Sequence, residues 1–206
     1  MCPSYFSRLI LWAIPALAIA IPLTVKAGDL EDRVKRTTDK LLEIVADQTL
    51  DAPEMEEKRS RMIREAVDEV FDWEAFSQRS MGRHWGKLSP DEQKEFIYLF
   101  GQLLERTYLY KTNHYSGESI VFLDEDIDEK YGNLEAKIIL ENGTDVQVDY
   151  RMLKKNGTWF VYDVHIEGIS LVNNYRAQFN NILTKSSYAE LKKLLESKLE
   201  AESKEK

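Results

Sequence analysis

Between Asp29 and Asp47 the apolar residues Leu30, Val34, Leu41, Ile44 and Val45 return at helical spacing among charged neighbours, which predicts a helix with one buried stripe. A second helix opens at Pro53-Glu54, where proline is tolerated in the first turn, and carries Met62, Ile63, Ala66, Val67, Val70 and Phe71 on one face. A third, shorter one spans Asp72 to Met81. The stretch Gly82-Arg83-His84-Trp85-Gly86-Lys87 breaks the pattern, and Ser89-Pro90-Asp91-Glu92 restarts it as a capping box with proline at the first helical position. The long helix that follows turns Phe96, Leu99, Phe100, Leu103, Leu104, Thr107 and Tyr108 inward.

After Ser116-Gly117 the period changes from helical to alternating. Ile120 and Phe122, then Ala136, Ile138 and Leu140, then Val146, Val148, Tyr150 and Met152 each mark one face of a strand. Asn142-Gly143 and Asn156-Gly157 lie between such runs and predict two-residue hairpin turns. A last strand, Thr158 to Glu167, leads through Gly168 into a helix bearing Leu171, Val172, Tyr175, Phe179, Ile182 and Leu183. Ser187 and Glu190 cap a final helix with Leu191, Leu194, Leu195 and Leu199 as its stripe. Helices before and after an antiparallel meander, with no repeat and no linker, predict one α+β domain.

The N-terminus is of another kind. Leu9 to Leu23 is uncharged, contains Pro15 and Pro22, follows Arg8 and precedes Val25-Lys26-Ala27. It is shorter than the roughly 20 apolar residues of a spanning helix, and it predicts a secretory signal over 1–27, cleaved after Ala27, with a single domain over 28–206. Cleavage would change the 206-residue chain of net charge −8 to one with 26 basic and 36 acidic residues, net −10, and would remove the single cysteine, Cys2. A surface of that sign disfavours nucleic acid as a general partner. A structural zinc site is excluded for lack of a Cys/His cluster.

Catalytic motifs are equally scarce. His84, His114 and His165 stand at no metal-binding or nucleophile-activating spacing, and no Gly-x-Ser-x-Gly or phosphate loop occurs. Acid-base work by Asp149, Asp163 and His165 remains open; Asp163 and His165 share a strand face. Against it stands a simpler role for Asp163, as a hydrogen-bond partner of a neighbouring strand or helix end. The recurrence of Tyr and Phe on helices and sheet suits a lipid cavity, or a plain aromatic core.

Three blocks bear on that choice. Gly82-Arg83-His84-Trp85, the Ser-Pro-Asp-Glu helix running to Leu104-Glu105-Arg106-Thr107-Tyr108, and Trp159 to Arg176 (WFVYDVHIEGISLVNNYR) together resemble the MlaC, or toluene-tolerance auxiliary, family of periplasmic phospholipid-binding proteins. The resemblance implies an NTF2-like fold, a curved antiparallel sheet wrapped by N- and C-terminal helices around an apolar cavity. It implies a monomeric periplasmic carrier with phospholipid as cargo, no cofactor, no metal and no reaction. It also implies two partners, an outer-membrane lipoprotein complex and an inner-membrane ABC transporter with its periplasmic lipid-binding subunit, and a role in outer-membrane lipid asymmetry. The link Lys111 to Glu118 matches the family only loosely.

On that reading the tails are expected against Phe71, Trp73, Phe76 and Met81 of the early helices and Phe100, Leu103 and Tyr108 of the long helix. Val148 and Tyr150 from the sheet, and Val164, Ile166, Val172 and Tyr175 beyond it, complete the set. Strand parity puts Phe160, Tyr162, Val164 and Ile166 on one face. Arg151 and Arg176 are headgroup-rim candidates, with pairing to a carboxylate such as Asp163 as the alternative. An acid-base isomerase or dehydratase on the same fold, and a non-catalytic interaction module, are the competing functions. The final helix is either a lid or a packing element.

Overall fold

The computed structural model describes residues 28–109 and 119–204; the expected signal over 1–27, Cys2 and the link around His114 lie outside these. Helix α1 (Asp29–Ala46) and helix α2 (Glu56–Asp68) are joined through short 3₁₀ turns at Gln48–Leu50 and Pro53–Met55. Helix α3 (Trp73–Met81) has Asp72 as its N-cap, whose carboxylate accepts from the Ala75 amide at 3.0 Å. A 3₁₀ segment, Gly82–Lys87, leads to α4 (Pro90–Leu104). Its capping box is complete: the Glu92 amide donates to Ser89 Oγ and the Ser89 amide to Glu92 Oε2. Beyond Leu104 the helix widens into a π-helical turn, Glu105–Leu109, a local loosening that carries Glu105 and Tyr108 out of the regular α4 stripe.

The sheet is a five-stranded antiparallel meander in the order β1-β2-β3-β4-β5. Its strands are β1 (Ser119–Asp128), β2 (Tyr131–Ile139), β3 (Asp145–Lys155), β4 (Thr158–Ile166) and the short β5 (Ile169–Ser170). Helices α5 (Leu171–Lys185) and α6 (Tyr188–Lys204) close the chain. The α+β architecture therefore matches the sequence pattern. So does the Asn156-Gly157 hairpin, where both residues have positive φ, 51° and 83°. Asn142-Gly143 differs. Only Gly143 has positive φ there, its amide donates to the Leu140 carbonyl at 2.9 Å, and the strands end at Ile139 and Asp145, so the connection is longer than two residues.

Two bulges bend the sheet. Leu123 is the extra residue in β1, between the pairs Phe122↔Ala136 and Asp124↔Glu135. Tyr162 is the extra residue in β4, between Arg151↔Asp163 and Met152↔Val161. The second bulge overturns the expected parity. Trp159 and Val161 precede it on the inner face, Val164 and Ile166 follow it on that same face, and Phe160 with Asp163 and His165 face the other way. Trp159, Val161 and Val164 are accordingly buried.

Helices α1, α3 and α5 contact the sheet, with α2 packed on α1, α4 on α3 and α6 on α4 and α5. Leu30 of α1 approaches β2 so closely that a Cβ on Gly132 would meet its methyl at 2.7 Å. The main core gathers Phe76, Phe96 and Phe100 with Tyr175 and Phe179 of α5, in edge and tilted contacts such as Phe100 to Tyr175 at 4.9 Å. Leu191, Leu195 and Leu199 dock α6 on α4, and the Tyr188 hydroxyl donates to the Glu92 carbonyl at 3.0 Å. A separate small cluster, Ile44, Leu50, Ile63 and Ala66, holds α1 and α2 together.

Asp163 settles into the simpler of its two expected roles. Its carboxylate is buried, accepts from Ser170 Oγ at 2.6 Å and from the Val172 amide at 3.0 Å, and so caps the start of α5. His165 Nε2 lies 3.4 Å from it. Replacing Asp163 by Ala is expected to lower stability by about 3 kcal/mol, because bonds to a charged acceptor are the stronger ones and two donors lose theirs. Urea unfolding reads this directly; a loss under about 0.5 kcal/mol, the range of neutral surface changes, would remove Asp163 from the structural role.

Candidate functional site

Between the inner face of the sheet and the helices lies an apolar pocket of about 270 Å³. The α1 wall is Val34, Thr37, Thr38 and Leu41; Val67, Val70 and Phe71 come from the end of α2 and the turn after it. Helix α3 supplies Trp73 and Phe76, and the widened end of α4 supplies Leu104, Glu105 and Tyr108. From the sheet come Ile138, Val148, Tyr150, Val161, Val164 and Ile166, with Leu171 at the start of α5.

The backbone of one residue, Val161, ties the helical wall to the sheet wall. The Val161 amide donates to the Val70 carbonyl, and the Val161 carbonyl accepts from the Asp72 amide, both at 2.8 Å. The turn carrying Phe71 is thereby fixed beside β4. Phe71 stacks on Trp73 at 5.0 Å, and Trp73 meets Phe76 edge-on at 6.2 Å. The Trp73 indole N–H donates to Asp68 Oδ1 at 2.6 Å, which fixes the ring's outer edge. Among the described residues Glu105 is the only charged one lining the pocket, and its buried carboxylate is paired with Arg64 of α2. Burial pushes the Tyr150 phenol up to about 12.

The expected tail-contact residues divide between this wall and the solid core. Phe71, Trp73, Phe76, Tyr108, Val148, Tyr150, Val164 and Ile166 line the pocket. Met81, Phe100, Leu103, Val172 and Tyr175 do not; they are buried in the main core, packed against other side chains. Neither arginine expected at the rim is there. Arg151 lies on the outer sheet face, opposite Asp163 in register. Arg176 caps the end of α3 by donating from Nε to the Arg79 carbonyl at 2.6 Å, and its stem packs over Gly82. The pocket residues that the sequence reading omitted are chiefly the α1 wall, Val67, Val70, Leu104, Glu105, Ile138, Val161 and Leu171. Thr37 and Thr38 continue the Val34–Leu41 stripe at helical spacing, which was a usable signal; for Val161 there was none, because a bulge decides its face. Among the described residues α6 contributes no lining residue; it packs on α4.

Chemically the pocket offers dispersion and desolvation rather than reactive groups. Among the described residues no histidine lines it and no group of His, Cys, Asp and Glu is placed to hold a metal ion. Such walls suit an alkyl ligand. Fold and pocket together define an α+β container, a sheet and a helical layer enclosing an apolar interior.

The chain belongs to the MlaC family: the family model described as "MlaC protein" matches residues 35–197. A relative from Haemophilus influenzae, the "intermembrane phospholipid transport system binding protein MlaC", is 25% identical over 129 residues. That match covers 60% of this chain and 60% of the relative, so the chain spans about 60% of the curated relative it matches. The structure of a phospholipid-binding protein from Ralstonia solanacearum, in complex with a phospholipid, superposes with a TM-score of 0.77 at 24% identity, covering 85% of this chain and 99% of that one. The two share the fold. No described helix is long and apolar enough to cross a membrane.

Tyr150 supplies a test of the site's dryness. Its folded pKa lies above the free value of 10, so the neutral phenol is the form that folding favours. The stability it contributes is present below pH 10 and is lost as pH rises through about 12. Phenolate absorbance during an alkaline titration is expected to show two late tyrosines, Tyr150 and Tyr188, the second pushed up by burial and the Glu95 carboxylate, and Tyr150→Phe removes one of them. An early titration of Tyr150 near pH 10 would mean a wet pocket.

Proposed function

We propose that the protein is a periplasmic carrier that holds the acyl tails of a phospholipid in this pocket and leaves the headgroup outside. The observation that carries the reading is the pocket's lining, apolar among the described residues except for Thr37, Thr38, Tyr108, Tyr150 and Glu105. At about 0.8 kcal/mol per methylene, two tails of about 15 methylenes each cost on the order of 24 kcal/mol gross to expose to water. A dry container removes most of that cost without discriminating between headgroups. The phospholipid named for the Haemophilus and Ralstonia proteins supports the same cargo here. A catalytic reading loses its best pair, since Asp163 is engaged in capping α5.

In this reading lipid passes between an outer-membrane lipoprotein complex and an inner-membrane transporter, and release depends on a partner that competes with or opens the pocket. Two tails need more room than about 270 Å³, so the α1–α2 pair, held by its own small cluster, moves outward as a unit on loading. Residues 1–27 act as the export signal. Cleavage after Ala27 makes Gly28 the first residue, and its nitrogen, which as a backbone amide donates to Glu125 Oε1, becomes an ammonium that forms an ion pair there. That carboxylate also accepts from the Glu31 amide, so it offsets a positive charge at the positive end of α1.

Native mass spectrometry of protein purified from a bacterial host is expected to show the mass of residues 28–206 plus one diacyl phospholipid. A clean ligand-free mass, together with no uptake from labelled phospholipid vesicles, would sink the carrier reading. Filling the pocket should act in the same direction: Val148→Trp is expected to cut lipid retention at least tenfold while costing about 1–3 kcal/mol of stability. Retention equal to wild type in a folded Val148→Trp protein would place the tails elsewhere.

A further inference from the structure

Neither arginine singled out from the sequence lies at the pocket, yet the structure places another one at its charged edge. A narrow second slot, lined by Arg64, Val67, Asp68, Trp73 and Glu105, shares Val67, Trp73 and Glu105 with the main pocket. These residues are therefore a common wall, with the apolar interior on one side and Arg64 on the other. The Arg64 side chain is 31% exposed and that of Glu105 only 7%. The ion pair thus runs from a buried carboxylate at the pocket to a guanidinium that reaches solvent.

From this geometry we propose that Arg64 is the residue that binds the phosphodiester of the carried lipid, a step that rests on the carrier reading above. Glu105 engages Arg64 through Nη2 alone, and the Nη1 and Nε donors of Arg64 have no partner among the described residues. A guanidinium that gives one Nη2 hydrogen to a carboxylate keeps a two-donor edge, its second Nη2 hydrogen beside Nη1 or Nε, which suits two-point binding of phosphate. Asp68 also lines the slot, but its Oδ1 is turned to the Trp73 indole N–H at 2.6 Å. That bond keeps the Trp73 ring as the partition between tails and headgroup. Glu105 is in this scheme a positioning residue. It spends a buried charge at the one place on the wall where tail gives way to headgroup, and a buried charge is tolerated only when paired.

The test compares two lipids with identical tails, dioleoyl phosphatidylglycerol and dioleoylglycerol, presented to the mature protein in the same detergent micelles and read by native mass spectrometry. Wild type is expected to retain both, the phospholipid more strongly. Arg64→Gln should lower phospholipid retention about tenfold or more, the scale of a lost charge-assisted bond, and leave dioleoylglycerol within about twofold. Since Arg64→Gln strands the Glu105 charge, the double variant Arg64→Gln with Glu105→Gln is measured beside it and should show the same selective loss; Arg64→Lys should recover part of it. Equal loss of both lipids, or no loss of either, overturns the assignment. So does Arg64-dependent binding of inorganic phosphate alone, which would make the site one for the free anion. Wild type that retains neither lipid overturns the carrier reading and this assignment with it.

Discussion

The pocket exists because two backbone hydrogen bonds at Val161 hold the helical layer off the sheet at a fixed spacing. Side-chain packing alone would draw Phe71, Trp73 and the β4 residues together, since closing an apolar gap recovers dispersion contacts. The bonds to Val70 and Asp72 are main-chain and buried in an apolar setting, where losing them is costly. The next residue, Tyr162, is the bulge, and its ring lies under the Arg79 guanidinium at 4.1 Å. The residue after that, Asp163, caps α5. Three consecutive residues of β4 therefore fix the turn before α3, the side-chain parity of the strand, and the origin of α5.

Given those anchors, the walls are stiff on one side and weakly tied on the other. Behind Phe76 the aromatic core is continuous, through Phe100 at 5.8 Å to Phe96 at 5.3 Å and Phe179 at 5.1 Å. Close-packed rings of this kind transmit load and resist collapse. The blocks that carried the family resemblance serve this stiffness. His84 Nε2 is 3.0 Å from Asn180 Oδ1, and Arg176 ties the end of α3 to α5. Trp85 stands edge-on to Phe96 at 6.5 Å. The opposite wall, α1 with α2, joins the main core at the start of α1 through Leu30 and Val34, while its far end is held by a separate cluster around Ile44 and Ile63.

This division explains what could be read from the residues in order. Element type and sequence followed from hydrophobic period and from caps such as Ser89 with Glu92, because those are local. The cavity was harder. Phe71 and Phe100 look alike in a helical stripe, yet one borders empty space and the other is in solid core. Only the spacing imposed at Val161 distinguishes them, and that is a long-range fact. Parity failed at Tyr162 for the same reason: a bulge adds one residue without a compositional mark, and every later side chain changes face. The Arg151 and Arg176 candidates illustrate a further point, since a cation's role depends on which carbonyl or carboxylate the fold brings to it. Arg64 carried no motif at all; it becomes notable only beside Glu105.

For the proposed carrier function the pocket has to bind strongly and yet release, and the two walls answer these demands separately. Most of the affinity comes from burying methylenes, which is proportional to area and indifferent to direction. An apolar pocket therefore has no intrinsic trigger for release. A trigger has to act on the wall, and the weakly tied one is α1 with α2, joined across the pocket edge to Glu105 through Arg64. Whatever draws Arg64 away, a headgroup or a competing acidic surface, loosens the same contact that holds α2 over the pocket. On the proposed reading, headgroup recognition and pocket opening are two consequences of a single ion pair.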